Sequence, residues 1–406
     1  MTAIVRIHLR NGAVSLKCTR YHSLGQFLCQ YNNKNNNNLF REALESRRNR
    51  PFVVGCCYSD VMLRAWATVF LLLAARTASS DSSSQLVGAR ATALAGAFTA
   101  VADDSSAFSW NPAGIVYGNL IRAGFYGGTT FQDRNELVER LRSELPGNES
   151  ELLGNDSLGF STSFTVLGVA VSRFTETASV LEGQTLTSRG LETLDVALSF
   201  VQSLPPDELT VGANVNIIRG TAFQQEQPAN LIPPDDRNVR DLVEAATSAE
   251  GRSETELGLD LGVLYQPRDW IRFGLMVRNL TEPTFHTPGG DEVVLPAQAR
   301  AGVAFMKDPG LLFALDLDLT SRESLQPATE DRTWRELSLG AEKVWGERRV
   351  ALRGGFRTEL ANGNLQRPGF SFGVGVRVAM LVFDLGGITS TERRQGGLWL
   401  GVSLMR

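Results

Sequence analysis

The chain has 406 residues, 43% of them apolar and 21% charged, with 39 Gly, 15 Pro and a formal charge of −4. These totals exclude a collagen, a small disulfide scaffold and a disordered charged tail, and they allow one large domain or two modest ones. The distribution is uneven: all four cysteines (Cys18, Cys29, Cys56, Cys57) precede Met62, and residues 1–61 hold nine Lys/Arg against three Asp/Glu, so residues 62–406 carry −4 − 6 = −10.

Residues 1–61 contain the polar tract Tyr31–Asn38 and the cluster Arg47, Arg48, Arg50, without clear periodicity, and Cys56-Cys57 lacks the spacing of a metal or redox motif. At Met62 the pattern changes. Arg64 precedes an apolar run from Ala65 to Ala75, then small residues to Ser79, the layout of a secretory signal peptide over 62–79. The run is shorter than the roughly 20 residues that cross a bilayer; a buried core helix is its other reading. A signal at this place implies that residues 1–61 are an N-terminal extension, translated from a misplaced start codon, rather than part of the mature protein. A basic targeting or nucleic-acid-binding arm is the rival reading of that charge run. Removing both segments leaves 29 − 41 = −12, and no nucleic-acid partner is expected for the remainder.

Residues 80–114 are dominated by Ala, Gly and Ser, which allow close packing, and end in Asn111-Pro112-Ala113-Gly114. Pro112 fixes its own φ and holds Asn111 extended, while Gly114 permits a sharp exit. Compact and bent, this segment suits the inside of a barrel, where Asp103 and Asp104 can meet lumen arginines.

From Val116 onward the chain alternates with a period of two. Leu257, Leu259, Leu261, Val263 and Tyr265 oppose Gly258, Asp260 and Gly262; Phe370, Phe372, Val374 and Val376 oppose Ser371, Gly373, Gly375 and Arg377. Glycine weakens a strand unless something must approach its backbone closely, so this second face suits an occupied lumen better than bulk water. Across such a lumen Arg272, Arg278, Arg300, Arg353, Arg357 and Arg377 are expected to pair with Asp195, Asp260, Asp316, Asp318, Glu342 and Asp384.

About fourteen strands are predicted, near 115–128, 157–165, 168–177, 193–204, 208–222, 255–266, 270–282, 298–306, 311–322, 334–345, 349–359, 369–378, 381–388 and 396–405. Long connections at 129–156, 178–192, 223–254, 283–297, 323–333, 360–368 and 389–395 alternate with short ones, as in an outer-membrane barrel. The fold class is therefore all-β, a transmembrane antiparallel β-barrel over 115–406 in the bacterial outer membrane, with its lipid as surroundings. Two charged, weakly amphipathic helices, 134–144 and 237–246, are expected to fold over the barrel mouth.

Catalytic machinery is not expected. After Met62 the one histidine is His286, which leaves no triad or zinc set; Gly373-Val-Gly375-Val-Arg377 lacks the third glycine of a dinucleotide site. No cofactor, metal or enzymatic activity is predicted.

The order Gly88-Ala89-Arg90, Leu94-Ala95-Gly96-Ala97-Phe98, Ala102-Asp103-Asp104 and Asn111-Pro112-Ala113-Gly114 resembles the FadL/TodX family of outer-membrane transporters and its PorV-like and TraF-like relatives. The resemblance implies a fourteen-stranded barrel plugged by an N-terminal hatch, with Gly88, Arg90, Gly96, Asp103, Asp104 and Asn111–Gly114 as hatch residues. It also implies a hydrophobic ligand such as a long-chain fatty acid or hydrocarbon. The PorV-like branch implies instead a binding barrel whose partners are secretion proteins.

Overall fold

A computed structural model describes residues 2–9, 12–21, 26–31, 86–117, 121–134, 136–143, 150–205, 208–307, 310–321, 334–346, 349–361, 364–390 and 394–405. The predicted signal peptide, the Asn-rich tract after Tyr31 and Cys56-Cys57 lie outside them. The chain divides into two units, Met1–Met62 and Leu63–Arg406. In the first, strands β1 (Thr2–Leu9), β2 (Gly12–Tyr21) and β3 (Gln26–Tyr31) form an antiparallel meander.

The second unit opens with two short helices, α1 (Ala89–Ala93) and α2 (Ala107–Trp110), and a 3-10 helix, Pro112–Tyr117. The first barrel strand, β4 (Ile121–Arg134), starts later than predicted because Ile115–Tyr117 belong to that 3-10 turn. Helix α3 (Leu137–Ser143) leads to β5 (Ser150–Phe164), β6 (Leu167–Glu182), β7 (Thr185–Leu204) and β8 (Leu209–Pro228). Helix α4 (Val239–Thr247) leads to β9 (Gly251–Arg268), β10 (Ile271–Arg278), a small hairpin of β11 (Thr284–His286) and β12 (Glu292–Val294), and β13 (Gln298–Lys307). The wall is completed by β14 (Leu311–Asp318), β15 (Arg335–Trp345), β16 (Val350–Ala361), β17 (Asn364–Val378), β18 (Leu381–Ser390) and β19 (Arg394–Met405).

Fourteen of these strands, all but β11 and β12 in this unit, form a closed antiparallel barrel in chain order. It closes where β19 pairs with β4, from Arg394↔Asp133 to Met405↔Arg122. Closure satisfies every strand edge, which a wall in lipid requires. Two predicted long loops are strand instead. The 178–192 region is a hairpin turning at Gly183-Gln184, and β16 and β17 pair up to Ala361↔Asn364. Thr, Ser and Glu masked the alternation in the first, and Asn, Gly and Pro in the second.

The outward face carries large exposed apolar side chains, among them Phe125 (62% exposed), Leu158 (63%), Leu257 (63%) and Phe372 (60%). A soluble sheet would bury these, so they mark a lipid-facing belt. Among the described residues no helix is long and apolar enough to cross a membrane; the strands cross instead.

The helices do not cover the mouth. Leu137, Val138 and Leu141 of α3 and Leu242 of α4 pack with Leu152, Leu181 and Leu186, which share the outward faces of their strands with exposed Leu158, Val171 and Leu194. Both helices therefore lie on the outside of the barrel. Strands β5–β7 rise beyond the apolar belt, and their outward leucines need cover there, which the helices' apolar stripes supply. The mouth is filled by the β11–β12 hairpin instead. Phe285, Val293 and Leu295 pack with the inward residues Leu153, Ala178, Leu191, Ile218 and Ala222. Phe285 occupies the niche left by Gly220, where a Cβ would come within 2.4 Å of its ring.

Candidate functional site

Residues 86–117 lie within the barrel, almost fully buried. Inward-facing glycines make the room. A Cβ at Gly262 would stand 2.1 Å from Asn111 Oδ1, at Gly386 2.2 Å from Ala89 O, at Gly373 2.4 Å from Ala93 Cβ, and at Gly212 2.4 Å from Ala113 N. Within the segment, a Cβ at Gly114 would fall 1.8 Å from Ala102 O. Gly88 and Gly96 have φ of 87° and 84°, the left-handed region that glycine tolerates.

Asn111 is fully buried and joins three parts of the fold. Its Nδ2 donates to the carbonyls of Thr99 (3.0 Å), Val263 (3.1 Å) and Leu275 (3.4 Å), while its Oδ1 accepts from Ala113 N (3.1 Å). One side chain thus closes the turn at Pro112 and fastens it to β9 and β10.

Two buried ion networks flank the segment. Toward the long-loop end, Arg300 reaches Asp316 (3.2 Å), Asp318 (3.0 Å) and Glu336 (3.2 Å), and also donates to the Gly96 carbonyl (3.2 Å). Asp316 Oδ2 accepts from the backbone N–H of Phe98 (3.0 Å) and Thr99 (2.8 Å). Toward the short-turn end, Arg90 contacts Asp103 and Glu342 (2.8 Å), and Glu342 is shared with Arg353 (2.6 Å), which meets Asp384 (2.6 Å). Asp103 stands within electrostatic reach of the wall arginines Arg122 and Arg272 as well. The segment's own Arg90 takes up Asp103 and crosses to a barrel carboxylate, because Arg90 and Asp103 are drawn together by the turns at Gly96 and Ala102. Burial depresses the Arg90 guanidinium, but Asp103 and Glu342 outweigh it and hold its pKa well above the ordinary value; burial pushes the Asp104 carboxyl up against the pull of Arg90.

The remaining expected pairs are redistributed. Arg357 faces Glu336 (3.6 Å), a residue not singled out in the sequence. Arg272 donates to Val101 O (3.1 Å) and stacks on Tyr117, and Arg278 donates to Ser109 O. Asp260 accepts from Asn216 (2.8 Å), Asn214 (3.2 Å) and Asn279 N (2.9 Å) rather than from an arginine. Asp195 lies within electrostatic reach of Arg278 and Asp260. Arg377 donates to Ala379 O (3.2 Å). Three of the six arginines, Arg272, Arg278 and Arg300, thus serve the segment's carbonyls, since a backbone buried without its own ladder has acceptors to satisfy. Asn214 and Ser371 do the same, donating to Phe108 O (2.9 Å) and Ala93 O (2.8 Å).

Above the segment, cavities of about 40 and 20 Å³ remain in the lumen. The larger is polar, with Glu336, Arg357, Glu359 and Arg367; the smaller is bounded by Leu86, Phe174, Leu191, Leu295 and Trp399. His286 bonds Glu254 (3.0 Å) at the mouth. Among the described residues no cluster of three or more His, Cys, Asp or Glu suits a metal.

A closed fourteen-stranded barrel with an apolar outer wall and an occupied lumen has the architecture of a transmembrane β-barrel. The family model described as "F plasmid transfer operon, TraF, protein" matches residues 84–318, which is 235 of the 406 residues, and the chain belongs to that family. Similar solved folds include the P. putida toluene transporter TodX (13% identity, TM-score 0.51, 79% of this chain and 98% of that one). A Pseudomonas aeruginosa FadL homologue (12%, 0.51, 79% and 98%) and the CymD monoaromatic hydrocarbon channel (14%, 0.50, 78% and 96%) are similar too. No curated protein matches the sequence.

Proposed function

We propose that the protein is a bacterial outer-membrane channel for passive entry of small hydrophobic molecules, with residues 80–114 as a hatch that must move, and that it performs no catalysis. The observation that carries this reading is a lumen blocked by the segment. Pockets for drug-sized ligands run to roughly 300–1,000 Å³, an order of magnitude above the 40 and 20 Å³ left on the long-loop side; on the short-turn side a vestibule of about 500 Å³ ends at Arg90, Asp103 and Asp104 of the segment. A ligand can therefore pass only by displacing the segment. The apolar sector of Leu153, Leu191, Ile218 and Phe285 offers the entry side, while the charged sector around Arg300 and Arg357 holds the hatch. The names of TodX and CymD, a toluene transporter and a monoaromatic hydrocarbon channel, support a hydrophobic ligand.

The test is uptake of a labelled long-chain fatty acid or toluene into liposomes bearing the full chain, compared with an Asn111→Ala/Pro112→Ala variant. Saturable uptake that this variant alters supports a hatch-gated channel. Absence of uptake, with secretion proteins recovered by the same barrel, would assign it instead to a binding barrel.

A further inference from the structure

The smaller lumen cavity carries polar groups that a hydrocarbon cannot use. Trp399 on β19, Ser157 on β5 and Phe174 on β6 bound it, and the register sets them on one rung of the wall: Trp399↔Gly128, Gly128↔Ser157 and Ser157↔Phe174. Gly128 keeps that rung open. A Cβ there would fall 2.2 Å from Trp399 Cδ2, so the indole lies over β4, one strand from Ser157.

Trp399 is 2% exposed and Ser157 8%. Among the described residues neither Trp399 Nε1 nor Ser157 Oγ has a hydrogen-bond partner. An indole N–H can only donate, and a hydroxyl can turn its hydrogen to donate as well. Buried polar groups left unpaired are costly, so two such donors on one cavity form a receptor for an acceptor oxygen.

The surroundings narrow the class of molecule that would bring it. Leu86, Leu191, Leu295 and the Phe174 ring supply apolar contact, so the oxygen belongs on a hydrocarbon body. The described lining holds no lysine or arginine and includes Glu176, so a carboxylate would find no counter-charge. At about 20 Å³ the cavity admits a water-sized group. A larger body takes the places of Leu86, in the buried segment, and Leu295, just after the β11–β12 hairpin.

We infer that Trp399 and Ser157 form an acceptor-recognition point that selects uncharged, oxygen-bearing hydrophobic molecules, such as aromatic ketones, over plain hydrocarbons and over carboxylate anions. Resting on the passage proposed above, this assignment names the class of molecule that passes. An acceptor satisfies both donors on arrival, whereas a hydrocarbon of the same shape keeps them buried and unpaired.

Toluene, 4-methylacetophenone and 4-methylbenzoate share a ring and differ in the oxygen they offer, so they serve as probes. Binding of each tritiated probe is measured on the full chain in nanodiscs, above that to empty nanodiscs. The indole N–H signals of 15N-tryptophan protein are followed in parallel, with Trp399→Phe assigning the Trp399 resonance. The ketone should bind about tenfold tighter than the other two and move the Trp399 signal downfield, and toluene should leave it in place. Trp399→Phe keeps a ring but loses the donor; it should weaken ketone binding about tenfold and leave toluene unchanged, while Ser157→Ala weakens ketone binding several-fold. Equal affinity for ketone and toluene, or a ketone affinity that Trp399→Phe does not move, overturns the recognition point. The Leu86→Ala/Leu295→Ala variant makes room at the cavity without movement of the segment. Ketone preference in that variant, with no probe entering liposomes through the wild type, supports the recognition point and overturns the passage reading. No preference in the variant overturns the recognition point itself. Heat-modifiable migration reports the folding of each variant separately.

Discussion

Gly262 and Asn111 show how the lumen reads single atoms. The glycine belongs to a strand face that the sequence already marks as too poor in side chains for water contact, and the structure shows what it accommodates. Gly262→Ala places a methyl 2.1 Å from Asn111 Oδ1 and 2.8 Å from Pro112 Cδ, so the turn must back away from β9. Overpacking of this kind costs about 1–3 kcal/mol, which favours an unseated segment roughly five- to hundredfold. Faster proteolysis within residues 86–117, or larger single-channel conductance in planar bilayers, should follow. Gly354→Ala, on the outward face with its nearest neighbour at 3.8 Å, is the matched control and should change neither.

At the scale of elements, deletion separates what fills the mouth from what lies beside it. Removing residues 284–294 takes out the β11–β12 hairpin with Phe285, so conductance should rise, whereas removing α3 should leave it unchanged. Equal effects would contradict the placement of α3 on the outer wall. Alternation revealed all fourteen strands, because residues such as Leu257–Tyr265 face lipid on one side only. It fell short where Thr, Ser and Glu carry β6 and β7 above the belt, since polar residues there interrupt the outward apolar row between Val171 and Leu181 and between Leu186 and Leu194. Helix placement was not legible either: an apolar stripe says that something must be covered, not on which side of a wall. At the site, Arg300, Asp316, Asp318, Glu342, Arg353 and Asp384 were visible as lumen charges, but their partners depended on the segment's path. Glu336, Asn214 and Phe285 sit among ordinary polar and loop residues and carried no signal, although Gly220 opposite Phe285 was a usable hint.

The whole molecule has a lumen with two sectors, apolar near β5–β8 and ionic near β13–β18. The ionic sector fixes the segment through charges and hydrogen bonds that lose strength when water enters. The apolar sector loses little when a hydrocarbon replaces Phe285 or Leu295. Under the proposed function, this division would let a ligand compete for one side before the other is disturbed.

Three residues separate Tyr117, the last described residue of the buried segment, from Ile121, the start of β4. If the segment moves as proposed, opening never releases it into solution, and reclosure is a unimolecular event at an effective concentration on the order of millimolar. A channel tethered this way closes at the same rate however dilute the protein, and a ligand that opens it competes with a partner that cannot diffuse off. A protease site inserted at residues 118–120 breaks that leash. After cleavage, conductance should climb with washing and fall when the excess segment is returned, whereas the intact chain should show neither response.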